Sequence, residues 1–496
     1  MDTETRKLPD LLAGLAVNPL LPDDLAVRLL AHGQAHNLTC RPGFAPSTAL
    51  CGEFVASGRA RELARVRLLP EAVAVRLARD PDPEVRAALA AHDRPDGDRH
   101  GLFSSDPDAR VRRALAGNPL LKQDLLARLA ADRDAGVRAA AAAAWTDPPA
   151  DTLRALLIDP AVQVRAAACT RRPPRDLYGA LLADPATRRR VVPFLELDRE
   201  TATALAADQD EEVRDRLARH PQLPAEVRDR LARDPDAGVR AAVFERADTP
   251  PGLRAEIHEG LLAGYRRADA PLTAGTGEDE EDGDFLCYIA FVGLELAAYP
   301  WVTADPLPYA DCPYVGMRRA AARSEALPVE ARRRMHTDED AIVRFLAFAR
   351  TPDPDLDVAE DIERRHLRGK FSDRPADCVR FPPETLRRFG SDPDPHLRVL
   401  ALRDPGLPQG LAERLAADEK AHVRRAVAGS GHPRLPEATL LRLLSDAEGH
   451  VAEAAASSPM LPEAAMRAVL DLADAAGGPS LPDDCDCDCD RDCDSD

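Results

Sequence analysis

Apolar residues in this 496-residue chain fall in short clusters at helical spacing, and the clusters themselves repeat. The string Asp-x-x-x-x-Val/Leu-Arg runs from Asp80 to Arg86, Asp106 to Arg112, Asp132 to Arg138, Asp159 to Arg165, Asp208 to Arg214, Asp234 to Arg240, Asp338 to Arg344, Asp392 to Arg398 and Asp418 to Arg424. A tenth copy, from Asp446 to Val451, has Ala452 in place of the arginine. Successive anchors stand 26, 26, 27, 49, 26, 104, 54, 26 and 28 residues apart, so the register survives where the motif fades. Half a period later, Leu-Pro precedes an apolar run, as at Leu21-Pro22, Leu69-Pro70, Leu223-Pro224, Leu327-Pro328, Leu407-Pro408, Leu435-Pro436 and Leu461-Pro462. Turns such as Asn18-Pro19 and Asn118-Pro119 stand just ahead of several of these positions.

Each period therefore predicts two short helices. Asp82-Pro83-Glu84 reads as an Asp N-cap, a proline at the first helical position and a glutamate favoured by the helix dipole. The Leu-Pro proline is expected in the first turn of the other helix, where its missing N–H would have no partner. Val111–Gly117 and Gln123–Asp132 are one such pair. Helices this short are marginal alone in water. Their apolar faces are buried only by stacking on neighbouring repeats, which predicts an all-α solenoid without a single central core. About 15–16 repeats fit between Leu11 and Ala475. The reading divides the chain into a capping repeat (1–33), a His/Cys insertion (34–58), repeats (59–267), an acidic and aromatic interruption (268–314), further repeats (315–476, irregular at 352–383) and an Asp/Cys tail (477–496).

NPLLPDDLAVRLLA, NPLLKQDLLARLAADRDAGVRAAAA and HPQLPAEVRDRLARDPDAGVRAAV resemble leucine-rich-repeat-variant units, close to HEAT-like repeats. The resemblance covers most of the chain and implies a right-handed superhelix of alternating short helices, one class of them α or 3₁₀. It implies no activity. Members of that family can carry an iron–sulfur centre on a cysteine cluster ahead of the repeats, but only Cys40 and Cys51 stand near this N-terminus, so that cofactor is not carried over.

The arginines in register (Arg86, Arg112, Arg138, Arg165, Arg214, Arg240, Arg344, Arg398 and Arg424) allow two readings. They bond the Asp of their own or an adjacent turn, forming a structural ladder, or they line a groove for phosphates or carboxylates. The recurring Asp favours the ladder. HEAT-like DNA glycosylases use a basic face, and Trp145 with Asp147 offers an aromatic and a carboxylate at short spacing. Net charge opposes that alternative: 66 Lys+Arg face 85 Asp+Glu, a formal −19. The last 14 residues carry a net −7 and the run from Glu278 to Asp284 a net −6, so the body is only mildly acidic. Four lysines among these bases, with abundant Ala and Pro, suggest a high-GC bacterial coding sequence rather than a nucleic-acid footprint.

No run of about 18 apolar residues is present, so no membrane span is expected. The N-terminus lacks a secretory leader pattern. Ten cysteines without a repeating framework fit a reducing cytoplasm.

Chemistry is sought where the repeat breaks. His32, His36, Cys40 and Cys51 would supply a tetrahedral zinc set, although no Cys-x2-Cys knuckle is present; the alternative is an exposed His pair and two buried thiols. Between Arg267 and Met317, seven of the aromatics gather, including Phe285, Tyr288 and Phe291 in an expected buried helix. Tyr299, Trp301, Tyr309 and Tyr314 follow as partner-binding candidates or as a loop folded onto adjacent helices. Cys287, Cys312 and, in the third irregular stretch, His366 and Cys378 offer no chemical pattern. In the tail, Cys485, Cys487, Cys489 and Cys493 alternate with Asp as a possible Zn²⁺ or Cu⁺ ligand set within an otherwise solvated acidic segment.

Dinucleotide, P-loop, nucleophile-elbow and zincin motifs do not occur. The expectation is a cytoplasmic, monomeric, non-catalytic scaffold without a resident cofactor, presenting a helical surface to a protein or peptide. Nucleic-acid binding and metal binding through the tail are the alternatives.

Overall fold

A computed structural model describes residues 7–94, 99–268, 278–365, 374–432 and 435–476, with the side chains of 268 and 278–285 excepted. Every regular element among them is an α- or 3₁₀-helix. The chain is an all-α repeat protein of the α-solenoid class, and it divides into two units, Met1–Thr152 with Pro382–Asp496, and Leu153–Phe381. This division does not follow the sequence interruptions.

The first helix of each repeat forms as the sequence dictates. Asp82, Asp108, Asp134, Asp184, Asp210, Asp236, Asp340 and Asp394 each cap a helix with a carboxylate that accepts a backbone N–H from its first turn. The motif Val or Leu turns inward, and Val111, Val137, Val164, Val213, Val239, Val343, Leu397, Val423 and Val451 are fully buried. In the second helix the proline sits one residue earlier than expected. Pro22, Pro70, Pro224, Pro328, Pro408, Pro436 and Pro462 are N-caps in extended conformation, and the helix starts at the next residue. The fixed φ suits that position, and the proline carbonyl accepts the first helical N–H, as from Ala26 to Pro22.

In the first unit, the helix pairs stack in chain order: Pro83–His92 packs on Ala109–Ala116, which packs on Ala135–Ala144. The same unit joins the two ends of the chain. Helix Leu8–Ala16 packs against Gly449–Ala456, as a helix elsewhere packs on its predecessor. Asn18 Nδ2 donates to the carbonyls of Ala456 and Ser458, at 2.8 Å each. Asn118 does the same to its preceding repeat, at Ala90 (2.9 Å) and Asp93 (3.0 Å). The first repeat thus treats the last as its predecessor. Gly14 permits this approach, because a Cβ there would lie 2.2 Å from the Glu453 carbonyl oxygen. Arg28 and His32 complete the junction, the arginine bonding Asp471 and Asp474 and the histidine bonding Asp474 at 2.7 Å.

In the second unit, the interruption forms two long helices, Pro251–Ala268 and Glu278–Leu296, which pack on each other. The stretch Leu286–Ala304 is long and apolar enough, by length and composition, to cross a membrane. It is not one helix, however. The first helix stops at Leu296, Tyr299 adopts a left-handed φ of 42°, and Pro300–Ala304 is a separate helix. Cys287, Ala290, Leu294, Tyr299 and Val302 are buried within the unit. Gly316 lets helix Val315–Arg323 meet this insertion, since a Cβ would lie 2.0 Å from the Leu294 carbonyl oxygen.

Candidate functional site

The arginine ladder is built from two kinds of bond, one to backbone and one to a carboxylate. Nη1 of Arg112 donates to the carbonyl of its own motif aspartate, Asp106, at 2.8 Å. Nε and Nη2 form a fork on Asp132 of the next repeat, at 2.7 and 2.9 Å. That aspartate in turn accepts the N–H of Asp134, closing the turn that starts the next helix. Burial pushes the Asp132 carboxyl up, and Arg112 with the Asp134 N–H more than offsets this, holding it below its ordinary value. Arg86, Arg165, Arg214, Arg398 and Arg424 likewise reach the aspartate of the following repeat. Arg138 bonds its own Asp132 carbonyl at 2.8 Å.

Two rungs meet something else. Arg240 meets Cys287 Sγ at 3.5 Å, and Arg344 meets the Arg365 carbonyl at 3.4 Å. Two rungs escape the sequence motif altogether. Arg188 reaches Asp208 and Arg318 reaches Asp338, although Leu182 and Cys312 replace the usual motif aspartate. An aspartate 20 residues downstream was the signal that could have found them. Where Ala452 removes the last arginine, Lys7 of the first repeat donates to the Asp446 carbonyl instead.

The aromatic candidates fold onto the second unit. Tyr299 is 2% exposed and its hydroxyl donates to the Leu294 carbonyl at 2.8 Å, so its assignment as a partner contact is corrected. Burial raises its phenol far above the ordinary value. Trp301 is half-buried, donates Nε1 to the Glu245 carbonyl at 2.9 Å, and meets Tyr309 edge-on with ring centroids 5.0 Å apart. Tyr314 packs edge-on against Phe244 and His258, at 5.1 and 5.0 Å. The physical reason is the cation beneath them. Arg254, buried without a carboxylate partner among the described residues, donates to the Phe244 and Arg246 carbonyls and lies over the Trp301 and Phe244 rings, 5.0 and 5.8 Å from their centroids.

The surface of this interruption is apolar elsewhere. Leu286, Ile289 and Leu296 are 49, 52 and 54% exposed, with Gly293 exposed between them, at the spacing of one helix face. Cys287, Ala290 and Leu294 on the opposite face are buried. A buried helix was expected here; the segment is instead two-faced, and its outer stripe was missed because sequence alone does not say which apolar residues lack a neighbour.

The His/Cys set is not brought together. His32 is turned toward Asp474, His36 stands 3.6 Å from Cys40, and Cys51 is buried facing the Pro46 carbonyl. Burial pushes the Cys51 thiol up to about 11, which disfavours a thiolate ligand. Among the described residues no three His, Cys, Asp or Glu side chains form a metal-binding group. Trp145 is 2% exposed, so it does not form an open aromatic–carboxylate pair with exposed Asp147. His366 and the tail cysteines Cys485, Cys487, Cys489 and Cys493 lie outside the described residues.

No family model and no curated protein sequence matches the chain. Sixteen chains of solved structures are similar, among them one in the crystal structure of Kap121p bound to Pho4p, at 13% identity and a TM-score of 0.22. That match covers 96% of this chain and 56% of the other, so this chain spans little more than half the length of its counterpart. The fold assignment rests on the stacked helix pairs themselves.

Proposed function

We propose that this chain is a non-catalytic, monomeric scaffold that binds a protein or peptide through an exposed helical surface, without a resident cofactor. One observation carries the reading: the outward stripe of Leu286, Ile289 and Leu296, in the segment where the repeat pattern is abandoned. Already half-buried, each such side chain would contribute about 1 kcal/mol more on full burial, and a few such anchors suit an amphipathic partner helix. The ladder supports the same reading from the other side, because its guanidinium groups are bonded within the protein instead of facing a polyanion. The repeat sequences also support membership in the leucine-rich-repeat-variant class, and free thiols at Cys40, Cys51, Cys169, Cys287, Cys312 and Cys378 suit a reducing cytoplasm. Affinity capture from the native cytoplasm, compared with the Leu286→Glu/Ile289→Glu double variant, tests it. A specific protein recovered with the parent and lost with the variant, at unchanged helicity, is expected. Equal recovery, or none, refutes the assignment.

A further inference from the structure

Position two beyond the ladder arginine is small or apolar in most repeats: Ala88, Ala114, Ala140, Ala167, Ala242, Ala320, Leu346, Leu400, Ala426 and Ala454. In two consecutive repeats it is arginine, at Arg190 and Arg216. Both residues, with Arg189, line a cavity of about 450 Å³ formed by successive helices Val162–Ala168, Pro185–Val191 and Glu211–Ala218 and their ends. Arg189 is paired with Glu212, which also lines the cavity. Arg190 and Arg216 form no ion pair or side-chain hydrogen bond among the described residues, and Arg190 Nε is buried without an acceptor. Such a donor costs stability unless something accepts from it. From this geometry we infer that the cavity binds a phosphomonoester carried on a peptide side chain.

Two uncompensated guanidinium groups match the nearly dianionic charge of a phosphomonoester at neutral pH. Pro193 and Phe194 add an apolar wall suited to the peptide beside the phosphate. A nucleic acid fits less well, since it needs many phosphate contacts and approaches a chain of formal charge −19. The peptide half of this inference rests on the scaffold reading, whereas the phosphate half stands on the cavity alone. Titration of the full chain with inorganic phosphate, N-acetyl-phosphothreonine methylamide and its unphosphorylated analogue separates them, because no partner is required. Binding of phosphate and of the phosphorylated amide, but not the analogue, is expected, weakened at least tenfold in Arg216→Gln. Arg216 is exposed, so this variant should melt like the parent; Arg190→Gln should show the same loss. No binding, or binding indifferent to both substitutions, overturns the site. Phosphate bound without the amide, or an oligonucleotide bound more tightly than the amide with the same Arg216 dependence, overturns the peptide assignment.

Discussion

The two units are built from one repeat but treat arginine differently. In the unit holding both chain ends, Arg86, Arg112, Arg398 and Arg424 each reach the carboxylate of the next repeat. In the other unit Arg165, Arg188, Arg214 and Arg318 keep that bond, but Arg254 and Arg332 are buried against carbonyls, and Arg190 and Arg216 form no ion pair among the described residues. A regular repeat can satisfy its polar groups internally, because each turn supplies what its neighbour lacks. Departures from the repeat leave groups over, and those groups are available for chemistry with something else. The exposed apolar stripe and the arginine cavity both lie in the less regular unit.

The sharpest test of this contrast is to disturb the most intimate backbone contact in each unit. Gly14 and Gly316 both face a carbonyl oxygen that belongs to backbone and cannot swing aside. Gly14→Val should cost about 3 kcal/mol and expose amides in Leu8–Ala16 and Gly449–Ala456 to hydrogen exchange. Gly316→Val should expose Val315–Arg323 and the C-terminal part of Glu278–Leu296 instead. Unchanged protection at the chain ends in Gly14→Val would disprove the end-to-end packing.

A smaller effect separates rungs of the ladder. The Arg112 and Asp132 side chains are 5 and 10% exposed, so Arg112→Ala strands a nearly buried carboxylate and should cost about 3 kcal/mol in denaturant melts. The pair Arg165–Asp184 is more open, at 21 and 22%, and Arg165→Ala should cost about 1 kcal/mol. Equal losses would mean that the bonds to backbone carbonyls, common to both arginines, carry the ladder's stability.

Much of this architecture is legible in the sequence because the repeat restates itself. The aspartate caps, the inward valines and most of the ladder follow from one motif and elementary helix chemistry. Arg188 and Arg318 escaped because a search anchored on the aspartate six residues earlier misses rungs whose acidic partner comes 20 residues later. The packing of Leu8–Ala16 on Gly449–Ala456 had one trace: Asn18 belongs to the same turn type as Asn118, which bonds a neighbouring repeat. The aromatic interruption was least legible. Hydrophobicity marked it as special, yet only packing reveals that Tyr299 points inward while Leu286 and Ile289 point out.

The smallest predicted effect concerns the same turn position. The position held by Asn18 and Asn118 is held by His432 elsewhere in the first unit and by His220 in the second; Nε2 of His220 donates to the Leu195 carbonyl at 3.1 Å while its Nδ1 accepts the Gln222 N–H at 3.1 Å. That pattern requires the neutral ring, and burial holds its pKa below the ordinary histidine value despite the Leu195 carbonyl. Folding therefore disfavours protonation. The unfolded chain takes up the proton near pH 6.5, so the contribution is complete above that pH and is lost as the solution becomes more acidic. Half-buried His258 and His336 are shifted in the same direction and add to the slope. His220→Asn should preserve the turn, since asparagine makes the equivalent bonds at Asn118, through Nδ2 to two carbonyls and from the Leu120 N–H to Oδ1. Stability at pH 7.5 should change by less than about 1 kcal/mol. Its decline between pH 7 and pH 5 should be shallower than in the parent. Parallel declines would show that His220 does not titrate against folding, and that the two turn types are equivalent in acid as well as at neutrality.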